Sequence, residues 1–386
     1  MCSIVLAMRG TLPEYDDPAT VTRVSESGPR HPTPTTQDTR LSTMTTLRLG
    51  GPARAVHRCR ETDDLAQVVT TLDRAGDRCL LVGGGSNLVV ADEGFDGTVV
   101  LIETSDVVFG DEDGVPFVTA QAGVGWDDLV ATTVQAGFGG LECLSGIPGA
   151  AGATPVQNVG AYGVEVADLL RSVELLDRRS GRRHWVAPSA LELGYRTSNL
   201  KHRDDHVVLG VSFWLNADRI SRPIRYGELA IALGVEPGAR SDAAAVRDRV
   251  LTLRRGKGMV LDPDDHDTWS AGSFFTNPIV SDDDASQVLD RIATRLGAQT
   301  RVPTYPAEGG IKLSAGWLIE RAGFTRGYPG PAAPARLSTK HTLALTNRGT
   351  ARTADLLDLA RTVRDGVHEA FGITLYPEPV LVNCEL

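Results

Sequence analysis

The pattern of apolar and polar positions predicts alternating strands and helices from about residue 54 onward. AVHRC and RCLLVGGGSNLVV are predicted to be extended, and DDLAQVVTTLDRAG between them places its apolar residues at helical spacing. TVVLIE at 98–103 and PFVTAQAG at 116–123 predict further strands, and a helix near 126–136 is closed by the glycine-rich FGG. The chain is therefore expected to begin with an α/β unit.

Later segments predict a hairpin, a domain junction and a second unit. VELLDRRSGRRHWV predicts a hairpin that turns at Ser180 and Gly181, and VVLGVSFWL predicts a strand. The composition of 216–223 is typical of a junction, after which SDAAAVRDRVLTLRRG predicts a charged helix. A helix near 285–296, the helical segments SAGWLIERAG and ADLLDLARTVRDGVHEAFG, the strand HTLALTN and a last strand in PVLVNCEL complete the prediction.

Length and composition are those of a soluble protein with two or three domains. The 386 residues exceed one hydrophobic core, and 41 glycines predict tight turns and binding loops. Residues 1–40 are predicted to be a disordered leader, because 11–39 are rich in Pro, Thr, Ser and charge without an apolar period. The net charge of −10, with no basic run, argues against nucleic-acid binding.

The cysteines and the apolar runs indicate the cellular compartment in which the protein is expected. Five scattered cysteines without a CxxC pair argue against a disulfide framework and a zinc site, and favour buried thiols in a reducing environment. CSIVLAM is too short for a signal-peptide core, and no apolar run reaches 18 residues. We therefore expect a cytoplasmic protein without membrane insertion.

Two glycine-rich segments are candidate cofactor sites. GGGSN at 83–87 lacks the lysine of a P-loop and the third glycine of a dinucleotide fingerprint, but it can form a nest of N–H groups for a diphosphate. A plain hairpin turn is the alternative. GIPGAAGATPVQNVGAYG at 146–163 leaves so little side-chain volume that a planar cofactor could lie against it, with amides from Gln157 and Asn158 and the ring of Tyr162 beside it. A glycine-lined packing site is the alternative there.

Three further motifs carry candidate chemistry. Ser273 in AGSFFTNP is a hydroxyl between apolar residues, Arg196 in GYRTSN has a fork suited to carboxylates, and Glu378 in YPEP stands between two prolines. Taken singly, each could be an ordinary structural or surface residue, as could Tyr226 and Lys257. The run DPDDHD at 262–267 is expected to be a solvated acidic loop, and no metal site is predicted.

Together these motifs resemble the UDP-N-acetylenolpyruvoylglucosamine reductase family. TTLRLGGPA, LLVGGGSN, GIPGAAGATPVQNVGAYG, GYRTSN, AGSFFTNP and YPEP occur in that family's order, and the resemblance runs from about residue 41 to the C-terminus. It implies an α+β, α/β-rich fold with a vanillyl-alcohol-oxidase or PCMH-type FAD-binding region at 41–217, in subdomains 41–105 and 106–217. A C-terminal α/β substrate-binding domain at 218–386 would follow, with its last strand returning to the flavin site.

The resemblance also implies ligands and residue roles. FAD, bound non-covalently, would be reduced by NADPH, and UDP-N-acetylglucosamine enolpyruvate would be converted to UDP-N-acetylmuramate for peptidoglycan synthesis. Ser273 would donate the proton, with Arg196 and Glu378 beside the reacting carbon, and Tyr195, Tyr226, Lys257 and Asn277 would bind substrate. Tyr226 matches the family's type with a tyrosine loop over the nucleotide, and we expect a monomer. We assign FAD contacts to Gly83, Gly84, Gly85, Ser86, Asn87, Gly146, Ile147, Pro148, Gly152, Ala153, Gln157, Asn158, Gly160, Ala161, Tyr162 and Gly163.

The expected chemistry is consistent with these residue types. Hydride transfer to the enol carbon leaves an enolate-like state, which Arg196 could stabilise by about 3 kcal/mol. An enolate is basic enough to accept a proton from a positioned serine, with Phe274 and Phe275 excluding water. The alternatives are another flavin oxidase or dehydrogenase of the same fold, which often tethers FAD through His or Cys, and a non-catalytic flavin-binding protein.

Overall fold

The computed structural model describes residues 20–23 and 38–386. The strands are β1 Thr20–Arg23, β2 Ala53–Cys59, β3 Cys79–Val82, β4 Leu88–Val90, β5 Phe95–Ile102, β6 Val107–Glu112, β7 Val115–Gln121, β8 Gly160–Ala161, β9 Val164–Glu165, β10 Leu170–Asp177, β11 Arg183–Val186, β12 His206–Trp214, β13 Ile279–Ser281, β14 Thr304–Ala307, β15 Gly310–Leu313, β16 Ala335–Leu337, β17 Leu345–Asn347 and β18 Val380–Val382. The helices are α1 Thr62–Ala75, α2 Trp126–Gln135, α3 Gly227–Leu233, α4 Ala243–Gly256, α5 Asp282–Leu296, α6 Ala315–Arg321 and α7 Thr353–Phe371.

The first structural unit is a small parallel sheet with one helix. Strands β2, β5 and β3 lie side by side in that order and all pair in parallel. Helix α1 connects β2 to β3 and buries Leu65 and Val69, and it ends at Gly76, whose φ of 71° suits a glycine. The predicted α/β unit is therefore present.

The second unit is a six-stranded antiparallel sheet in the order β1-β6-β7-β12-β10-β11. The predicted hairpin is confirmed, since β10 pairs with β11 around Gly181, which has a φ of 72°. Strand β1 lies at the edge of this sheet, although the sequence predicted no strand in the leader. Its sequence TVTR is rich in β-branched residues, which favour extended backbone. Residues 1–19 and 24–37 of the leader lie outside the described residues.

Helices α3 and α4 follow the predicted domain boundary at residue 218 in sequence, but they pack against the sheet that precedes it. Leu229 of α3 and Val246 and Val250 of α4 are fully buried in the core formed with the six-stranded sheet. The C-terminal core instead begins at Ala271 among residues that follow α4. The body that contains the six-stranded sheet and helices α2, α3 and α4 is called the FAD-side body below, after the cofactor that the resemblance implies. The polar stretch at 216–223 is a loop within this body, because the apolar face of α4 packs there.

The C-terminal unit is built on helix α7. One side of α7 buries Leu356, Ala360, Val363 and Val367 against strands β16 and β17 and helices α5 and α6, and α5 in turn packs on β13 and β15. After α7 the chain returns to the first unit, where β18 pairs in parallel with β4. The last strand thus belongs to a different sheet from the rest of its domain.

The two glycine-rich segments pack against each other backbone to backbone. A Cβ at Gly84 would lie 2.6 Å from the Cα of Gly149, and one at Gly83 would lie 3.0 Å from the Cβ of Ala150. A Cβ at Gly152 would lie 2.5 Å from the Cβ of Ala122. Part of the glycine content is therefore explained by contacts within the protein, which the sequence analysis gave only as an alternative.

We predict that Gly84→Ala lowers the free energy of unfolding by about 1–3 kcal/mol, because the added methyl overlaps backbone atoms that have no room to move. Gly256→Ala is the matched control, since its Cβ would meet nothing within 4 Å and the residue is helical. The control is expected to be neutral or up to about 1 kcal/mol more stable. Denaturant unfolding of both variants measures this, and equal stability of the two would contradict the packing argument.

Candidate active site

A cavity of about 370 Å³ lies where the two glycine-rich segments meet the AGSFF and YPEP segments. The predicted catalytic residues Arg196, Ser273 and Glu378 all line it, although they are far apart in sequence. Ten predicted cofactor positions also line it: Gly83, Gly84, Gly85, Ser86, Asn87, Ile147, Pro148, Ala153, Gln157 and Gly160. The fold therefore brings most of the predicted site together in one place.

Six predicted cofactor positions do not line this cavity: Gly146, Gly152, Asn158, Ala161, Tyr162 and Gly163. The Asn158 side chain is buried and used internally. It donates to Glu165 Oε2 and to the Gly194 carbonyl, and it accepts from the N–H of Ala167. Its amide therefore holds the loop in shape, and the sequence could not show that these three partners are nearby.

Arg196 is held by backbone carbonyls. It has a φ of 54°, its guanidinium donates to the carbonyls of Gly160 at 2.7 Å and Asn158 at 3.4 Å, and the ammonium of Lys201 donates to the Arg196 carbonyl. Its Nε lies 3.4 Å from Glu378 Oε1. Arg196 thus links the second glycine-rich segment to the C-terminal segment.

Glu378 is fixed by its neighbours in two other segments. Its N–H donates to the Phe274 carbonyl at 2.8 Å, and the Asn87 amide lies 3.4 Å from the Glu378 carbonyl. The Asn87 amide also donates to Gln157 Oε1 at 3.1 Å. Burial raises the pKa of the Glu378 carboxyl above its ordinary value, and the positive charges of Arg196 and Lys201 offset part of that rise.

The two phenylalanines after Ser273 lie in the protein core. Phe274 and Phe275 are each 1% exposed, with ring centroids 5.1 Å apart, and they pack in the C-terminal core. Neither lines the cavity, so the rings do not form the wall in front of Ser273, and their exclusion of water stays a prediction. Their apolar surface is buried, which fixes the backbone around the Phe274 carbonyl that accepts from the N–H of Glu378.

The predicted substrate residues form two groups outside the cavity lining. Tyr195 lies beside Lys312, whose Nζ is 4.0 Å from the ring centroid, and Asn277 Oδ1 accepts from the N–H of Ala315 at the start of α6. Tyr226 is 43% exposed, and its ring packs edge-on against Tyr162.

Lys257 belongs to the Tyr226 group. Its Nζ lies 5.9 Å from the Tyr162 ring centroid and donates to Glu228 Oε2 at 2.6 Å. Both side chains of this ion pair are partly exposed, so the pair contributes little to stability.

Several cavity residues were not predicted from the sequence. Among them are Thr46, Lys201, His202, Arg254 and Ser270. His202 has a φ of 59° and lies at the exposed rim of the cavity. Arg254 stands in the last turn of a charged helix, a position typical of surface residues, and only the packing of α4 directs it inward.

The acidic run at 262–267 is exposed at 262–264, as expected of a solvated loop, but it is anchored at Asp265 and Asp267. Asp267 is 5% exposed and accepts from the N–H and hydroxyl of Thr339 and from Arg348, while Lys340 pairs with Asp265. Burial acts against the charge of Asp267, but these bonds bring its pKa below the ordinary value. The loop supports the chain that leads to Ser273.

One group of potential metal ligands occurs within residues 38–386, formed by His57, Cys59 and Asp64. Burial raises the pKa of the Cys59 thiol to about 12, so the sulfur keeps its proton at neutral pH. The group lies outside the cavity lining. It gives no reason to add a metal to the site.

Comparison with known proteins identifies both parts of the chain. Residues 53–187 match an FAD binding domain, and residues 262–382 match the UDP-N-acetylenolpyruvoylglucosamine reductase C-terminal domain. The predicted fold class, an FAD-binding region followed by this C-terminal domain, is thereby confirmed. The second match begins after α4, in agreement with the packing of that helix.

Whole-chain relatives carry the same name. The UDP-N-acetylenolpyruvoylglucosamine reductase of Nocardia farcinica is 63% identical over 347 residues, which are 90% of this chain and 89% of the relative. That of Saccharopolyspora erythraea is 62% identical over 348 residues, 90% of this chain and 95% of the relative. The crystal structure of the Thermus caldophilus reductase, at 25% identity, superposes with a TM-score of 0.59 and covers 94% of this chain and 99% of that one. The chain belongs to the UDP-N-acetylenolpyruvoylglucosamine reductase family.

Proposed function

We propose that this chain reduces the enolpyruvyl group of UDP-N-acetylglucosamine enolpyruvate with Arg196, Ser273 and Glu378 as its catalytic residues. The observation that carries the proposal is that these three side chains line one cavity, next to both glycine-rich segments. Family membership makes the chain an FAD-containing oxidoreductase of peptidoglycan precursor synthesis that uses NADPH. The residue roles below are our inference.

The cavity fits a flavin nucleotide. Seven glycines and three alanines are among the residues that line it, which allows a flat ring to approach closely and leaves N–H groups for a diphosphate. FAD would supply the hydride that reduces the enolpyruvyl double bond. Gly83 to Asn87 would hold its diphosphate, and Gln157 would face its ring.

Arg196 would stabilise the negative charge that develops on the substrate. Its guanidinium is held in place by two carbonyls and Glu378, so it need not reorganise when that charge forms. A fixed donor in a site with little water contributes about 3 kcal/mol to transition-state stabilisation.

Ser273 would donate the proton. Its hydroxyl lines the cavity, and the backbone around it is fixed by the N–H of Phe274, which donates to the Leu343 carbonyl at 2.8 Å. A serine is a weak acid, but an enolate-like intermediate is a strong enough base to take its proton when the geometry is fixed. Delivery from one face would set the configuration of the lactyl carbon.

Glu378 would act as an acid or polariser on the carboxylate side of the intermediate. Burial raises its pKa, so the carboxyl holds its proton at higher pH than an exposed glutamate would. Its contact with the Arg196 Nε at 3.4 Å would keep the two groups beside the same substrate atoms.

The substrate nucleotide would extend from the cavity toward Tyr195, Tyr226, Lys257 and Asn277. Tyr226 is exposed beside Tyr162, as a residue that closes over a nucleotide would be, which supports the type with a tyrosine loop. The four cysteines of the described residues are all free, which supports a reducing, cytoplasmic location. No helix among those residues is long and apolar enough to span a membrane.

Ser273→Ala is expected to leave reduction of the flavin by NADPH intact. Oxidation of the reduced flavin by the enolpyruvyl nucleotide should slow by several powers of ten, because the proton donor is lost. Anaerobic stopped-flow absorbance separates the two half-reactions. Ser273→Cys, which retains a dissociable proton, should be faster than Ser273→Ala, and the exposed control Ser286→Ala should match the parent. Slowing of both half-reactions in Ser273→Ala would contradict a specific role.

Glu378→Gln is expected to slow flavin oxidation by substrate by about 10²–10⁴-fold. In the parent, this rate should fall as pH rises through the raised pKa of Glu378, because the acid then loses its proton. The variant should lack that decline, and the exposed control Glu308→Gln should keep it. Full turnover by Glu378→Gln, with the pH profile unchanged, would disprove the role.

Denaturation is expected to release all of the flavin from the protein. No cysteine lines the cavity, and His202 lies only at its exposed rim, so non-covalent binding is expected. Acid precipitation followed by absorbance of pellet and supernatant measures this. Flavin that stays on the chain would favour the tethered oxidases of the same fold, and His202→Ala would then show whether that residue is the tether.

A further inference from the structure

Lys201 lines the cavity beside the proposed catalytic residues. Its side chain is half-buried, and its ammonium donates to the Arg196 carbonyl at 2.8 Å. The backbone from which it projects is fixed, because the preceding Leu200 is buried in the core of the FAD-side body and the N–H of Lys201 donates to the Ser198 carbonyl at 3.2 Å. Lys201 therefore reaches a proposed catalytic residue from a rigid base.

The carbonyl that Lys201 binds belongs to a residue in an unfavourable conformation. Arg196 has a φ of 54°, which lies in the left-handed region that residues other than glycine seldom adopt. The turn around it is closed by Gly194 and Thr197, each of which donates its N–H to the carbonyl of the other, at 3.0 and 3.3 Å. Such a conformation persists only where surrounding contacts hold it, and the bond from Lys201 is one of these contacts.

The direction of the Arg196 side chain depends on this turn. Its guanidinium donates to the Gly160 carbonyl, and its Nε lies 3.4 Å from Glu378 Oε1. Without the bond from Lys201 the turn would be free to relax toward a more favourable φ, and the guanidinium would move away from the carboxylate. A displacement of about 1 Å at a reacting group costs about 100-fold in rate.

Lys201 also brings a second positive charge toward Glu378. Burial raises the pKa of the Glu378 carboxyl, and the charges of Arg196 and Lys201 oppose that rise. The charge of Lys201 therefore favours the ionised form of the carboxyl.

The other titratable groups around Glu378 are arranged differently. Burial raises the pKa of the Tyr195 phenol, Arg196 lowers it and Glu378 raises it, so the phenol is neutral at physiological pH. The remaining titratable residues of the cavity lining are His202, at its exposed rim, and Arg254, on α4.

We propose that Lys201 is a positioning residue of the reaction: its hydrogen bond to the Arg196 carbonyl holds the guanidinium against Glu378, and its ammonium sets the charge balance of that pair. Because Lys201 acts through Arg196 and Glu378, the inference rests on the proposed function. The protonation of Glu378 can nevertheless be measured without substrate.

The test compares Lys201→Met and Lys201→Arg with Arg249→Met in the full-length, FAD-loaded protein. Methionine has nearly the length of lysine without its charge, arginine keeps the charge, and Arg249 is an exposed residue of α4 outside the cavity lining. Stopped-flow absorbance gives the rate of flavin oxidation by the enolpyruvyl nucleotide as a function of pH. The infrared band of the protonated Glu378 carboxyl, taken as the difference from Glu378→Gln, gives the pKa of that group independently.

Lys201→Met should lower the rate about 10- to 100-fold at low pH, where Glu378 is protonated with or without the lysine, because Arg196 is no longer held in place. Loss of the positive charge favours the protonated carboxyl, so the pKa of Glu378 should rise by about one unit and the decline in rate should move to higher pH by the same amount. Lys201→Arg should recover part of the rate and keep the pKa of the parent, since the charge is retained. Arg249→Met should match the parent in both measurements.

A residue that only stabilised the loop would change the rate or the Tm without moving the pKa of Glu378. An unmoved pKa in Lys201→Met, or a rate equal to that of Arg249→Met, therefore overturns the proposal. Lys201→Gln removes the charge and keeps a polar group, and it carries the same expectation if Lys201→Met does not retain FAD. A parent protein that does not oxidise its flavin with the enolpyruvyl nucleotide would reject the proposed function, whereas the infrared titration would still decide whether Lys201 acts on Glu378.

Discussion

The parallel pairing of β18 with β4 is the constraint on which the site depends. It joins the end of the chain to the strand that follows the first glycine-rich segment, in the register Val380 with Leu88. The N–H of Val380 donates to the Asn87 carbonyl at 2.9 Å, and Thr353 Oγ1 donates to the Val90 carbonyl at 2.6 Å. Both ends of the segment from α7 to β18 are bound to β4, and this position places Glu378 beside Arg196.

The same architecture explains how a site with little side-chain volume can be rigid. Glycine is flexible in an unfolded chain, but here Gly84 packs on Gly149 and Gly152 on Ala122 at distances that leave no room for movement. Rigid backbone supplies N–H groups in fixed directions, and the cost of orienting them is met during folding. Binding of a nucleotide then requires little further ordering.

Charge is distributed unevenly around this rigid frame. The chain carries a net charge of −10, but the cavity is lined by Arg196, Lys201 and Arg254, with Glu378 as the carboxylate paired to Arg196. A local positive field in an acidic protein attracts anionic nucleotides at short range. Arg196 is paired with Glu378, whereas Arg254 lies near Asp127, whose carboxylate is itself bound by Arg247.

The sequence by itself determined most of the longer helices and strands, the residue types of the site and, through six ordered motifs, the family, but it did not predict β1 or α3. Local periodicity and glycine-rich spacing are properties of short segments, so they can be read without knowing which segments meet. The tertiary structure decided that α3 and α4 pack with the FAD-side body, that Phe274 and Phe275 face the core, and that Asn158 is used internally. It also placed Arg254 in the cavity lining, although its position in a charged helix is typical of surface residues. These outcomes depend on contacts between residues distant in sequence, and a pattern along the chain carries no information about which partner fills the space beside a side chain.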